Sequence, residues 1–352
     1  MNTSQKLIAL LSGAALLSVS SLAAQTATTA PVGYVTVTVN GSPDGSAIAY
    51  TPLSLSLEKA ILAAGALSET PSSAVVTNSN ASYTPGAFAG TDASGNATHY
   101  LQFTTSGLIA DIIANDATTI TTGGDLTGLA TSGDQYVVKE HSTLADIFGA
   151  ANEAGLKSGG DSSSSDTVFV MSSDGVGTYA TYYYQTDSLG FLGGTGWRLS
   201  GNANDDTSNV VVGPDDGIIV ARSDSGDLNF VVSGSVNVVD HQRGLPAGFS
   251  LVAYPYPADV TLDDSGIYTP SNGYVSGGDS SSSDLVYVLA SSGAFTTYYR
   301  QTDSLGFLGG DGWRVAGDSN TEVGATTTIP AGSSVIIQHT GSGLLWADAK
   351  PF

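Results

Sequence analysis

The chain has 352 residues with 44 glycines and no cysteine, and 32 acidic residues against 10 basic ones give a net charge of −22. A charge of this sign and size repels nucleic acid, and without disulfides the fold must be held by packing and backbone pairing. The abundance of Gly, Ser, Thr, Val and Tyr predicts short strands joined by tight turns.

The N-terminus has the pattern of a secretory signal peptide. Lys6 precedes an apolar run over residues 7–19, and small residues follow up to a cleavage point near residue 24. We therefore assign residues 1–24 to a signal peptide and expect a secreted, periplasmic or cell-surface protein. No later apolar stretch reaches the roughly 20 residues that a membrane span needs, so no transmembrane segment is expected after cleavage.

Residues 31–157 are predicted to form a β-rich region with a short helix. Alternating residues after Pro31 and at 47–57 predict two strands, and EKAILAAGAL at 58–67 predicts a short helix. Residues 68–97, rich in Ser, Thr, Asn and Gly, predict a surface loop. LADIFGAA at 144–151, capped by Ser142 or Thr143, is the strongest helical pattern. Four further strands, forming a β-meander, are predicted at 99–103, 108–113, 118–122 and 135–139.

One passage occurs twice. Residues 159–198 read GGDSSSSDTVFVMSSDGVGTYATYYYQTDSLGFLGGTGWR, and residues 277–314 read GGDSSSSDLVYVLASSGAFTTYYRQTDSLGFLGGDGWR. Such a near-copy indicates a duplicated structural unit. We predict a first β repeat at 158–240, and a linker strand with a second repeat at 241–352.

Residues 249–264 loosely echo residues 47–58, which suggests that the N-terminal region is a third, more divergent copy with an insertion. The predicted fold class is mainly β: antiparallel β-sandwich or barrel-like modules in tandem, with one or two short helices.

The succession of segments resembles a known family. A signal peptide is followed by the helix LADIFGA, the strands SDTVFVM and SDLVYVL, the Tyr-rich strands TYYYQ and TYYRQ, GWR, and the turns PDDGIIV and PAGSSVII. This order is similar to that of a family of exported proteins found in Verrucomicrobia and related bacteria. The resemblance implies export and a repeated β architecture, and it brings no catalytic or binding residue with it.

The sequence lacks the motifs of the common enzyme classes. No HExxH, GxSxG, Walker or CxxC pattern is present, and the four histidines are far apart along the chain. We therefore predict a non-catalytic protein without a required cofactor, with a secreted hydrolase as one alternative.

The repeated segment GGDSSSSD contains candidate calcium ligands, because Asp and Ser oxygens in a loop can coordinate Ca²⁺. These candidates are Asp161, Asp166, Asp279 and Asp284. Their spacing does not match a DxDxDG loop, and we favour turns in which Asp side chains accept backbone N–H bonds.

A second repeated set consists of aromatic residues and arginines, which bind sugar rings in many exported β modules. Its members are Tyr182, Trp197, Arg198, Tyr298, Trp313 and Arg314. The favoured interpretation is that they belong to the core. Because position 184 is Tyr and position 300 is Arg, we predict that this position faces solvent and that Tyr183 and Tyr299 point inward.

The segment QTDSLGFLGG is identical in both copies. We expect it to fold back over a sheet end, or else to present Phe191 and Phe307 to a partner. The function predicted from the sequence is structural or adhesive, at the cell surface or in the extracellular matrix, with self-association or an extracellular glycan as the partner. A carbohydrate-binding module is the first alternative.

Overall fold

The computed structural model describes residues 31–45, 47–171, 176–290, 292–303, 306 and 309–351. The predicted signal peptide at 1–24 lies outside them. From Val32 onward the chain forms one compact unit. It is mainly β, with antiparallel sheets and, in the described ranges, one short helix. The predicted mainly β, antiparallel class with a short helix is confirmed.

Six strands form a sheet of their own near the N-terminus, in the order β4-β9-β6-β7-β8-β5. Their bounds are β4 Ile61–Ala66, β5 Val75–Thr77, β6 His99–Phe103, β7 Ile109–Asn115, β8 Thr119–Thr122 and β9 Gln135–Glu140. The core of this sheet is apolar and includes Leu101, Phe103 and Ile112. The four predicted strands are confirmed, with small shifts at their ends, but only β6, β7 and β8 form a meander, because β9 pairs with β6 and not with β8.

The helix predicted at 58–67 is wrong, because this segment contains strand β4. Pairing with β9 provides a partner for every residue of β4 except Leu62, which lies at a bulge, and this overrides the helical preference of the alanines. Gly65 also permits a close approach: a Cβ atom there would lie 2.8 Å from Tyr136 Oη.

The first repeat is built from strands that precede the six-stranded sheet in the sequence and strands that follow it. Its main sheet has the order β13-β12-β11-β15-β2, and β1, β16 and β3 form a second sheet. The bounds are β1 Val32–Val39, β2 Ala49–Ser54, β3 Leu57–Glu58, β10 Ser142–Thr143, α1 Leu144–Phe148, β11 Thr167–Met171, β12 Tyr179–Gln185, β13 Gly196–Leu199, β14 Val211–Val212, β15 Gly217–Arg222 and β16 Leu228–Val236.

The second repeat has the same construction without an insertion. Its main sheet, β18-β24-β20-β21-β22, follows the strand order of the first, and β17 pairs with β25 as β1 pairs with β16. The bounds are β17 His241–Leu245, β18 Gly248–Ala253, β19 Val260–Thr261, β20 Leu285–Leu289, β21 Phe295–Gln301, β22 Gly312–Val315, β23 Thr328–Ile329, β24 Ser334–His339 and β25 Leu344–Asp348.

The pairing explains the echo between residues 47–58 and 249–264. Strand β2 pairs with β15 as β18 pairs with β24, so the two segments contain equivalent strands of two copies. We therefore call β1–β3, β10–β16 and α1 the first copy, β17–β25 the second copy, and β4–β9 the inserted sheet. The strand pairing crosses the boundary predicted at residue 157.

Helix α1 begins at a complete capping box. Thr143 Oγ1 accepts from the Asp146 amide at 3.2 Å, and Asp146 Oδ2 accepts from the Thr143 amide at 2.9 Å. The helix ends at Phe148 because Gly149 follows with a φ of 89°. It buries Leu144 and Phe148 in the core of the first copy.

The two copies are related by an approximate two-fold axis. The Ser54 amide donates to Gly332 O at 2.8 Å, and the equivalent Ala253 amide donates to Asp215 O at 2.9 Å. The main sheets pack on each other through an apolar layer that includes Ile219 and the equivalent Ile336. Each sheet therefore has its own core on one face and the other copy on the opposite face.

Candidate functional site

The repeated GGDSSSSD segments form local turns. Asp161 Oδ1 accepts from the amides of Ser163 and Ser164, both at 3.0 Å, and Asp279 makes the same bonds in the second copy. Hydrogen bonds from these serines lower the pKa of both Asp residues. The interpretation as an Asp-stabilised turn describes this geometry.

The second Asp of each segment has a different set of partners. Asp166 and Asp284 are buried, and their Oδ2 atoms lie 2.7 Å from Arg222 Nη1 and from His339 Nδ1 respectively. The two carboxylates of each predicted calcium pair are therefore bound to separate partners. In the described ranges, no group of three or more His, Asp or Glu side chains is placed to hold a metal ion.

The repeated tryptophans lie in the core. Trp197 is fully buried, and its Nε1 donates to Gly149 O at 2.9 Å. Trp313 is 1% exposed and packs edge-on against Tyr274. Neither ring is open to stack on a sugar.

The repeated arginines bind backbone carbonyls of adjacent loops. Arg198 donates through Nε to Ala203 O at 2.9 Å and through Nη2 to Gly193 O at 3.2 Å. Arg314 makes the same kind of bonds in the second copy, to Ser319 O at 3.1 Å and to Gly309 O at 3.2 Å. Both side chains are buried and have structural partners.

The prediction that position 184 of the Tyr-rich strand faces solvent is wrong. Tyr184 is 9% exposed, and its ring packs edge-on against Trp197. Arg300, at the equivalent position, is half-buried over the ring of Tyr268. A Tyr ring and a guanidinium can fill the same kind of site because both stack on aromatic rings.

Tyr183 and Tyr299 are buried on the opposite face of the strand, where each hydroxyl donates to the glutamine two residues on. Strands β12 and β21 are therefore covered on both faces at this end. The substitution between copies did not mark a solvent-facing position.

The QTDSLGFLGG segment of the first copy forms a structured loop, which we call the first tip loop (residues 187–194). We call the equivalent residues of the second copy the second tip loop (303–310). In the first, Asp187 accepts from the amides of Phe191, Leu192 and Gly194 at 2.9–3.0 Å. Burial alone would raise the pKa of Asp187, but these amide bonds outweigh it and lower the pKa. Gln185 Nε2 donates to Leu192 O and Gly194 O at 2.7 and 2.8 Å.

The first tip loop directs its apolar side chains into solvent. Leu189 is 78% exposed and Phe191 is 86% exposed, so these residues do not fold back over the sheet end. The second tip loop has matching bonds, since Asp303 accepts from the Gly310 amide and Gln301 donates to Gly310 O. Phe307 lies outside the described residues.

A polar cleft of about 640 Å³ lies where the inserted sheet meets both copies. We call it the junction cleft. The inserted sheet is tied to the second copy by a bond from the Gln242 amide to Gly107 O at 3.1 Å, which brings Arg243 to the cleft. Asp92 ties the same sheet to the first copy by accepting from the Val211 amide at 2.9 Å. The polar and aromatic side chains that line the junction cleft are Asp111, His141, Tyr179, Tyr182, Asp215, Asp216 and Arg243.

Two charge clusters form the polar wall of the junction cleft. Arg243 Nη1 lies 2.8 Å from an oxygen of Asp215 and 2.8 Å from an oxygen of Asp216. His141 Nε2 lies 3.0 Å from Asp111 Oδ1. Within the described residues, Asp215 Oδ2 and His141 Nδ1 are buried without a hydrogen-bond partner.

The shared arginine separates the two neighbouring carboxyls. Burial raises the pKa of Asp215, although Arg243 opposes the rise. Burial also acts to raise the pKa of Asp216, but Arg243 outweighs it and the pKa is lowered. Two carboxylates that share one guanidinium titrate together.

The sequence did not predict this cleft. Of the six aromatic and arginine candidates, only Tyr182 lines it. The available signal was a difference between the copies: the first has Pro214-Asp215-Asp216, whereas Ala-Gly-Ser follows Pro330 in the second.

No protein-family model, curated protein or solved structure matches this chain. The resemblance to the family of exported proteins therefore stays a prediction. In the described ranges, no helix is both long and apolar enough to cross a bilayer.

Proposed function

We propose that this is an exported, non-catalytic adhesive protein of the cell surface or extracellular matrix, and that copies of the chain associate through the tip loops. The observation that supports the proposal is the exposure of Leu189 and Phe191 on a loop with a fixed backbone. Export rests on the signal peptide predicted at residues 1–24.

The structure of the first tip loop favours contact with a partner. Asp187 makes three bonds to backbone amides, and bonds to an ionised acceptor are stronger than neutral ones. The loop therefore keeps its shape while Leu189 and Phe191 remain in water. A neighbouring pair of exposed large apolar side chains is typical of an interaction surface.

The charge of the chain restricts where copies can meet. At −22 they repel one another over most of their surface. The first tip loop contains one acid, Asp187, whose carboxylate is bonded to the loop itself. Apolar contact at this point involves little like-charge repulsion. The identical segment at residues 301–310 gives each chain a second candidate contact, by which one chain could link more than one neighbour.

The test is sedimentation equilibrium of the mature chain and of an L189S/F191S variant. We expect concentration-dependent association of the wild type, and an association constant lower by about tenfold or more in the variant, because burial of two apolar side chains is lost. Adding Phe307→Ser should reduce association further. A V32S/Y34S variant is the matched control, since Val32 and Tyr34 are 78% and 74% exposed outside the tip loops. A wild type that stays monomeric, or equal losses in test and control variants, contradicts the proposal.

A further inference from the structure

We propose that the junction cleft binds a neutral glycan and holds one or two of its sugar rings. This function goes beyond association through the tip loops and uses other residues. The cleft volume of about 640 Å³ falls within the range of roughly 300–1,000 Å³ that is typical of small-molecule sites.

The cleft offers fixed donors and acceptors of the kind that sugar hydroxyls need. Arg243 uses Nη1 for both carboxylates, and in the described part of the chain its Nε and Nη2 donate to no protein acceptor. Asp111 is 57% exposed and bonds to His141 through Oδ1 alone. A hydroxyl can accept from the guanidinium and donate to the carboxylate at the same time.

The charges in the cleft favour a neutral ligand. Three carboxylates face one guanidinium, which disfavours phosphate, sulfate and carboxylate ligands. The positive charge of Arg243 is already shared by Asp215 and Asp216, and the remaining Asp111 is in contact with His141. The wall is therefore polar, and each of its charged side chains already has a partner within the protein.

An aromatic side chain completes the site. Tyr179 lies at the edge of the cleft, next to the apolar layer between the copies, and is 38% exposed. Its ring packs edge-on against Phe169 at a centroid distance of 6.1 Å. The apolar C–H face of a sugar can stack on such a ring while its hydroxyls reach the polar wall.

In the part of the chain that the structure describes, the site occurs once. It needs the inserted sheet, which only the first copy contains, and the two acids after Pro214, which have no counterpart after Pro330. The expected stoichiometry is one ligand per chain. A site made by the aromatic residues that are repeated in both copies would bind two ligands per chain.

The test begins with a glycan array that contains neutral oligosaccharides, sialylated ones and cationic glucosamine oligomers. The strongest neutral glycan is then titrated calorimetrically. We expect binding to neutral glycans with one site per chain, and an affinity about tenfold lower in Asp111→Asn and in Tyr179→Ala. Both side chains are more than a third exposed, so these variants should fold, which a thermal melt checks.

Two matched controls should bind like the wild type. Tyr34→Ala removes a 74% exposed aromatic ring of the first copy outside the cleft, and Asp206→Asn removes an exposed acid of the first copy outside the cleft. Binding of charged glycans only, two sites per chain, unchanged affinity in both cleft variants, no binding at all, or cleavage of the bound glycan would overturn the proposal. None of these outcomes depends on whether the tip loops associate.

Discussion

The clearest difference between the copies at the scale of single residues is the partner of the buried Asp. Asp166 binds Arg222 in the first copy, and Asp284 binds His339 at the equivalent strand end in the second. Asp284 also accepts from the Thr340 amide and hydroxyl, both at 2.7 Å. The Asp that is identical in both copies thus links the start of one strand to the end of the neighbouring strand. Its partner there is an arginine in the first copy and a histidine in the second.

Asp348, at the end of β25, should make stability depend on pH. Burial raises its pKa to about 7, although a hydrogen bond with Tyr254 opposes the rise. The folded state therefore holds a proton that the unfolded state has lost above about pH 4. Stability contributed by this proton is fully present below about pH 4 and is lost as the pH rises to about 7.

We expect Asp348→Asn to become more stable relative to the wild type as the pH rises from 4 to 7, because the amide never ionises. Thermal melts between pH 4 and pH 8 measure the difference. Asp116→Asn, at an exposed position, is the control and should show a constant difference. Parallel pH profiles for Asp348→Asn and the wild type would refute the assignment.

At the scale of the elements, the sequence located most strands but not their partners. Periodicity identified β6 to β9 because each alternates or runs apolar between Gly- or Asp-rich turns. It failed at β4, where alanines favour a helix and only pairing with β9 decides for a strand. It also placed Tyr184 on the wrong face, since both faces of β12 are covered. Alternation of apolar and polar residues identifies the buried face of a strand when the other face is in solvent. It does not do so when both faces of the strand are covered.

The capping box of α1 allows a direct test at this scale. Thr143→Ala removes the bond to the Asp146 amide, and we expect the free energy of unfolding to fall by about 1 kcal/mol. Urea titration measures the change. Ser142→Ala, one residue earlier, should have a much smaller effect, and equal effects of the two substitutions would contradict the cap assignment.

At the scale of the whole molecule, the junction cleft depends on contacts that no local pattern contains. Asp111 comes from the inserted sheet, Asp216 from the first copy and Arg243 from the second. The duplication drew attention to kept residues, and most of these serve the fold: Trp197 fills a core and Arg198 fastens a loop. The cleft instead lies where the copies differ, so its residues could be found only after the chain was folded.

The central claim, that acidic chains associate through apolar tip loops, is tested most directly by the salt dependence of the sedimentation-equilibrium mass. Raising NaCl from about 50 mM to about 500 mM shortens the screening length from roughly 14 Å to roughly 4 Å, which weakens repulsion between chains of charge −22. We predict that the wild-type mass rises with salt, while the L189S/F191S/F307S variant remains monomeric throughout. Association that weakens with salt, or that persists equally in the variant, would contradict the claim.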